Sequence, residues 1–141
     1  MISHELAKEL KRAGRAWQPV ERDFFIMPEH NLVGQVFVVS PLPALVQNFS
    51  GERTITFHGA IEWALDYVLM TEAVWLPTET QLRELLARAI GEDAPLRLDR
   101  VQAGYLLQVG VGADVLEFDA PGAEDAYGRA LLRILEQGGP R

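Results

Sequence analysis

The sequence predicts an α+β fold with mostly antiparallel sheet and four helices, in the order α-ββββ-α-β-α-βββ-α. Strand-like segments come in runs rather than alternating singly with helices, which favours antiparallel pairing over a Rossmann-type arrangement. The 141 residues match the common size of one domain, and 48% of them are hydrophobic, which is enough for a core. We therefore expect a single domain over residues 1–141, in which 1–92 and 93–141 could form sub-lobes.

Residues 1–57 are predicted to form one helix and four strands. The helix covers Ser3–Ala13, because Ser3 is a good N-cap and Gly14 can end a helix. Gly51 lies between the third and fourth predicted strands and suits a hairpin turn. Pro43, just before the third strand, favours an edge position for it. The predicted strands are Phe24–Met27, Val36–Val39, Leu45–Phe49 and Thr54–Phe57.

A second helix is predicted from Ala60 to Leu69, and it is apolar nearly all round. One apolar face is opposed by a second that carries Trp63, Tyr67 and Met70. Such a helix is either buried on both sides or lies in an interface. Aromatic residues and methionine are enriched at interface centres, so these three residues form the candidate binding surface, with a buried central helix as the alternative.

The second half of the chain predicts a short strand, a helix, three more strands and a last helix. Thr78 and Gln81 fit a capping box, and Gly91 can end the helix that they begin. Pro121 suits the first turn of the last helix. The predicted strands are Ala73–Leu76, Leu96–Val101, Tyr105–Val109 and Val115–Phe118, the last three forming an antiparallel meander.

One group of residues has a spacing that could suit a metal ion. His58, Glu62 and Asp66 are four residues apart and would share one side of a helix that began at His58. Zinc sites usually take three or four ligands with further support, and Gly59 favours a strand end at His58. We therefore predict no metal or other cofactor, and keep a pocket near these residues as an alternative.

Composition argues against several classes of protein. The formal net charge is −7, which opposes binding to nucleic acid or to an anionic membrane. No apolar run reaches the length that crosses a bilayer, and cysteine is absent, which fits the cytoplasm. Nucleophile elbows, phosphate-binding loops and dinucleotide motifs are also absent from the sequence. We expect a soluble cytoplasmic protein and favour a non-enzymatic role, with an enzyme kept as an alternative.

Three segments resemble a small bacterial protein family of deinococcal type with phage-borne relatives. They are Glu5–Lys11, Glu62–Val68 and Val74–Thr78, and the similarity extends to the helix around Glu124–Tyr127. Some members carry a pilus-assembly label, which is not carried over because this chain lacks the phosphate loop of an ATPase. The C-terminal strands and helix are similar in topology to the half fold of HicB-type antitoxins. That similarity implies an antitoxin-like or phage-regulatory role as one alternative.

The leading functional hypothesis is a non-enzymatic protein-interaction module that self-associates, as a homodimer, or binds another protein. Its basis is the apolar face formed by Trp63, Tyr67 and Met70. The first alternative is a small-molecule or metal-binding protein or enzyme with its pocket near His58, Glu62 and Asp66. The second alternative is the antitoxin-like or phage-regulatory component.

Overall fold

A computed structural model describes residues 1–28, 34–39, 44–49, 52–57, 67–69 and 71–138 of the chain. These residues form three helices, which are α1 (His4–Arg12), α2 (Glu79–Ile90) and α3 (Ala123–Glu136). They also form nine strands, which are β1 (Phe24–Ile26), β2 (Val36–Val38), β3 (Ala44–Phe49), β4 (Glu52–Phe57), β5 (Tyr67–Leu69), β6 (Val74–Leu76), β7 (Leu96–Val101), β8 (Gly104–Val111) and β9 (Asp114–Ala120). The strand pairs are antiparallel, so the predicted α+β class with antiparallel pairing is confirmed.

The chain forms two compact units. Unit 1 comprises Met1–Ala16 and Pro77–Arg141, and unit 2 comprises Trp17–Leu76. Unit 1 therefore combines α1, from the start of the chain, with every described element after β6. The single-domain organisation stays a prediction.

Unit 2 contains two three-stranded sheets, with the orders β2-β1-β6 and β3-β4-β5. In the first sheet, Phe25 lies opposite Phe37 on one side and Trp75 on the other, so three aromatic residues share one face. In the second sheet, β3 is an edge strand, as the preceding proline predicts. The register of β3 and β4 pairs Phe49 with Glu52, which confirms the predicted hairpin.

Unit 1 contains the sheet β7-β8-β9 and the three helices. In the register of this sheet, Leu107 lies between Leu98 and Phe118, and α3 contacts both β8 and β9. Leu107 and Val109 are wholly buried, and α3 contributes eight buried residues. The alternation along β8 and the helical spacing along α3 thus place the core of unit 1 between the sheet and α3.

Local signals explain where α2 begins. The Thr78 side chain accepts a hydrogen bond from the backbone nitrogen of Gln81, and the Gln81 side chain accepts one from the backbone nitrogen of Thr78. This capping box satisfies two backbone donors that the first turn of a helix leaves without partners. The predicted helix start is therefore confirmed.

The prediction of four helices is wrong for the described residues, which contain three. Tyr67–Leu69, the end of the predicted second helix, is strand β5 and pairs with Thr54–Thr56 of β4. Aromatic and β-branched residues fit a sheet well, and pairing with the preceding strand β4 prevailed over a helical repeat in the sequence. Residues 60–66 of that predicted helix lie outside the described residues. The described order of elements is α-ββββββ-α-βββ-α.

Within the described ranges, no helix has the length and apolar character needed to cross a membrane.

Candidate functional site

Of the three residues predicted to form the binding surface, only Tyr67 lies within the described part of the chain. Tyr67 lies in β5, opposite Thr56 of β4, so the helical spacing that joined it to its predicted neighbours does not apply to it. Trp63 and Met70 lie outside the described residues, so their part in a binding surface stays a prediction.

The alternative pocket residues His58, Glu62 and Asp66 also lie outside the described residues. Within the part of the chain that the structure describes, no group of three His, Cys, Asp or Glu side chains could hold a metal ion. The proposed pocket near His58 therefore stays a prediction.

An open groove of about 400 Å³ lies in unit 1, between α1 and α3, and we call it the α1–α3 groove. Both helices and strand β9 contribute to it, so the surface exists only because elements from the two ends of the chain pack together. Its lining combines carboxylates, guanidinium groups and apolar side chains. The residues are Ser3, Glu5, Leu6, Glu9, Phe118, Asp125, Arg129, Leu132, Arg133 and Glu136.

Polar contacts fix the start of α1 against the start of α3. The terminal amine of Met1 lies 2.9 Å from Oε1 of Glu124, and the backbone nitrogen of Ser3 donates to Oδ1 of Asp125 at 2.7 Å. The Ser3 bond satisfies a backbone donor at the N-terminus of α1 with a carboxylate, which suits the positive end of the helix dipole. The α1–α3 groove thus begins at a defined junction.

Close packing continues this junction one turn further along both helices. Gly128 of α3 has no side chain, and a Cβ atom there would lie 2.7 Å from Cδ2 of Leu6 and 3.2 Å from Cδ1 of Ile2. Together with the bond from Ser3 to Asp125, this contact places the start of α1 against the first two turns of α3.

The two sides of the α1–α3 groove differ in charge. Glu5 and Glu9, four residues apart on α1, form an acidic wall, and α3 forms a mixed wall in which Arg129 and Arg133 lie between Asp125 and Glu136. Glu5, Glu9 and both arginines are exposed. The walls flank an apolar strip to which Leu132 and Phe118 contribute partly exposed side chains.

The charges on the two walls have few partners within the molecule. Glu5 accepts a hydrogen bond from Nζ of Lys8 at 2.7 Å, and this bond holds the pKa of the Glu5 carboxyl below its ordinary value. Arg129 donates from Nη1 to the backbone oxygen of Asp119. Among the described residues, no ion pair crosses the groove from Glu9 to Arg133. The outer ends of both walls are therefore available to a binding partner.

Unit 2 has a second group of interacting side chains, which is structural. The Trp17 ring stacks on Trp75, with centroids 6.4 Å apart and an interplanar angle of 6°, and contacts Phe25 at 5.6 Å. Trp17 Nε1 donates to Oδ2 of Asp23 at 2.8 Å, and the backbone nitrogen of Val20 donates to the same oxygen at 3.1 Å. Asp23 is 2% exposed, so its carboxylate serves to hold Trp17 over the sheet face.

The α1–α3 groove was not found by sequence reasoning, although part of its signal is visible in the sequence. The four-residue spacing of each charged pair can be read directly from the chain. What cannot be read is that residues more than 120 positions apart form opposite sides of one surface.

Comparison of the chain with protein-family models, with curated proteins and with solved structures gave no match.

Proposed function

We propose that this protein is a non-enzymatic interaction module that binds a protein partner through the α1–α3 groove. The observation that carries the proposal is the apolar strip between an acidic wall on α1 and a wall on α3 that carries two exposed arginines. Interfaces combine an apolar centre with a polar rim and are enriched in arginine and aromatic residues. Grooves between elements commonly receive an amphipathic segment of a partner, whose apolar face lies on the strip.

Burial of the apolar strip would provide affinity, and the charged walls would provide orientation. Leu132 and Phe118 still have exposed area to lose on binding, which is favourable at about 25 cal/mol per Å². Exposed ion pairs add little each, typically about 0.2–1 kcal/mol, but they disfavour a wrongly oriented partner. A partner with complementary charges is therefore held in one direction along the groove.

The proposal is tested by substituting Leu132→Asp, which places a charge in the apolar strip. The wild-type protein and this variant are immobilised, and the proteins retained from extract of the host are quantified, including untagged copies of the chain itself. We expect the partner to be retained about tenfold less well by Leu132→Asp, because burying an unpaired carboxylate opposes binding.

A matched control is Leu85→Asp, the same change at a partly buried position on α2 outside the groove. Thermal unfolding of both variants shows whether each one folds. If Leu132→Asp does not fold, Arg133→Glu replaces it, since Arg133 is exposed. Equal retention of every protein by the wild type and the groove variant would contradict the proposal.

The other predicted functions keep their own tests. If a ligand or metal site lies near His58, Glu62 and Asp66, the compound that binds there should raise the melting temperature of the protein. A broad screen of metabolites and metal ions in which the melting temperature does not change would contradict this hypothesis. The resemblance to a bacterial family, the antitoxin-like role and the cytoplasmic location stay predictions.

A further inference from the structure

We infer that β7, an edge strand of the sheet in unit 1, pairs with β7 of a second copy of the chain, so that the two sheets join into one antiparallel sheet. The two copies are related by a two-fold axis that passes between Leu98 and Leu98 of the second copy. This surface is separate from the α1–α3 groove, since β7 contributes no residue to the groove lining. The groove and the β7 edge are therefore tested by different variants.

The edge of β7 that faces away from β8 has no strand partner among the described residues. Its register with β8 is continuous from Leu96 to Val101, so no bulge distorts the edge. A regular, unpaired edge presents backbone N–H and C=O groups to which another strand can bond. The side chains of β7 are exposed or partly exposed, so the strand is accessible to another molecule.

The hydrogen bonds with β8 show which backbone groups of β7 point outward. The backbone nitrogen of Gly110 donates to the oxygen of Pro95 at 2.9 Å, and the register continues to these two residues as an opposite pair. Opposite residues of an antiparallel ladder alternate between hydrogen-bonded and non-hydrogen-bonded pairs. The odd-numbered residues of β7 therefore bond to β8, and the even-numbered ones direct their N–H and C=O groups to the free edge. The outward residues are Leu96, Leu98 and Arg100.

A two-fold axis at Leu98 gives each of these outward groups a partner. In an antiparallel pair around this axis, Leu98 lies opposite Leu98 of the second copy, and Leu96 lies opposite Arg100. Each such pair exchanges both of its backbone hydrogen bonds. Pro95 lacks an N–H group, but its position faces β8, so no bond across the new contact is missing.

The charged side chains of β7 complement themselves in this register. Arg97 lies directly opposite Asp99 of the second copy, and Asp99 lies opposite Arg97. These are non-hydrogen-bonded pairs, in which side chains on neighbouring strands come closest. An axis moved to Arg97 would place arginine on arginine, and an axis moved to Asp99 would place aspartate on aspartate. Both arrangements repel, so the charges select the register centred on Leu98.

The contact between Arg97 and Asp99 within one chain leaves groups free for the second copy. Nε of Arg97 donates to Oδ2 of Asp99 at 2.9 Å, which engages one nitrogen and one oxygen. The guanidinium has further N–H donors, and the carboxylate has a second oxygen. In β8 the residues opposite Arg97 and Asp99 are Gln108 and Leu106, which are uncharged. The charged side chains of the two copies therefore form one network of alternating sign.

The other face of the sheet adds apolar contact. Leu96 and Leu98 lie on the face where Leu107 and Val109 are wholly buried, and both remain partly exposed at the margin of the core. Pairing brings Leu98 beside its own copy and lays the apolar stem of Arg100 over Leu96 of the second copy. The dimer thus buries apolar area that the single chain leaves exposed.

The opposite edge of the sheet, β9, does not offer the same arrangement. Its charged residues are Asp114, Glu117 and Asp119, so two copies of β9 would bring negative charges together without a cation. The backbone oxygen of Asp119 also accepts a hydrogen bond from Nη1 of Arg129. Pairing through β7 leaves β9, and with it the α1–α3 groove of each copy, accessible to another partner.

Charge reversals on β7 test this pairing. Arg97→Asp and Asp99→Arg each place like charges opposite one another twice in a homodimer. We expect the wild type to be dimeric in sedimentation equilibrium and native mass spectrometry, and each variant to dimerise at least about tenfold more weakly. The two side chains are 73% and 41% exposed, so both variants should fold, which thermal unfolding checks. Dimers that are unaffected by either reversal place the contact elsewhere and overturn the inference.

Combining Arg97→Asp with Asp99→Arg in one chain gives the decisive result. The double variant exchanges the two charges, so opposite charges again face each other across the axis. We expect its affinity to lie within about threefold of the wild type. A mixture of the two single variants should recover in the same way, because one copy then carries both negative charges and the other both positive charges. Single variants that weaken the dimer without either recovery overturn the register at Leu98.

Hydrogen exchange of the wild type tests the backbone pairing without any substitution. The amides of Leu96, Leu98 and Arg100 point away from β8, so they should exchange rapidly in the dilute monomer. At concentrations where the dimer forms they should exchange at least about tenfold more slowly, while the amides of Arg97 and Asp99 stay slow throughout. Exchange of the outward amides that does not depend on concentration overturns the strand pairing.

A matched control is Glu117→Arg, which changes the net charge as much as Asp99→Arg does, at an exposed position on the same face of the sheet but at its other edge. It should dimerise like the wild type. If it weakens the dimer equally, the effect belongs to overall charge and the inference is wrong. A monomeric wild type also overturns it, and leaves the binding of a partner in the α1–α3 groove to be decided by Leu132→Asp.

Discussion

At the scale of single residues, Asp23 is the charged side chain most deeply buried among the described residues. It accepts hydrogen bonds from the Trp17 ring and from the backbone of Val20, and its own backbone oxygen accepts one from Val39 at 2.8 Å. The carboxylate therefore joins the segment before β1 to the strand itself. Its role is to hold the Trp17 ring against Phe25 and Trp75.

Substitution Asp23→Ala should lower the free energy of unfolding by about 1–3 kcal/mol, because it leaves two partly buried donors without their acceptor. The measurement is urea denaturation followed by tryptophan fluorescence, which also reports the surroundings of Trp17. Asp99→Ala is the control, since Asp99 forms an exposed ion pair with Arg97 at 2.9 Å and should matter by less than about 0.5 kcal/mol. Equal losses in the two variants would contradict this account of Asp23.

At the scale of elements, the approach of α1 to α3 depends on Gly128. Glycine in a helix interior costs about 1 kcal/mol relative to alanine, so a buried one is expected where two elements must come close. Here the space of the missing side chain is taken by Leu6 and Ile2 of the α1 segment. The same contact holds α1, which carries Glu5 and Glu9, close to α3, which carries Arg129 and Arg133.

Substitution Gly128→Val should destabilise the protein by about 1–3 kcal/mol, because the added methyl groups force Leu6 and Ile2 out of their places. Helix propensity alone predicts a small gain, so the sign of the change separates packing from propensity. Thermal unfolding measures it, with Glu84→Val as a control at an exposed helical position. A stabilised Gly128→Val variant would show that α1 does not pack closely on α3.

At the scale of the whole molecule, the start of the chain is joined to its last helix. The amine of Met1 and the carboxylate of Glu124 are 123 residues apart in sequence and 2.9 Å apart in space. The hydrogen bond from this amine holds the pKa of the Glu124 carboxyl below its ordinary value of 4.5, although burial acts in the opposite direction. Stability linked to this contact is therefore sensitive to acid.

The pKa of the Glu124 carboxyl is lower in the folded protein than in the unfolded chain. The contact therefore stabilises the fold at pH values above the unfolded-state pKa of Glu124, and this contribution is lost as the pH falls through the folded-state pKa. Between about pH 6 and about pH 3, the free energy of unfolding should therefore fall more steeply for the wild type than for Glu124→Gln. Acetylation of the terminal amine should flatten the dependence in the same way. Parallel curves for all three proteins would contradict the contribution of this ion pair.

Short-range signals determined much of the fold. The capping box at Thr78 places the start of α2, and alternation in the sequence gives β7 with the bounds Leu96–Val101 that the structure has. Helix caps and the periodic spacing of apolar residues involve residues that are close together in the chain, so both can be recognised in the sequence. The predictions for α1, the hairpin of β3 with β4 and the meander of β7 to β9 were confirmed for the same reason.

Only the tertiary structure decided β5 and the α1–α3 groove. Tyr67–Leu69 is a strand because β4 offers it a partner, and a helical repeat within the segment carries no information about that partner. Glu9 and Arg133 form one surface because α1 packs on α3 after the chain has passed through all of unit 2. The sequence by itself determined most of the described elements and the spacing of their charges, whereas pairing and packing between elements decided β5 and which faces meet.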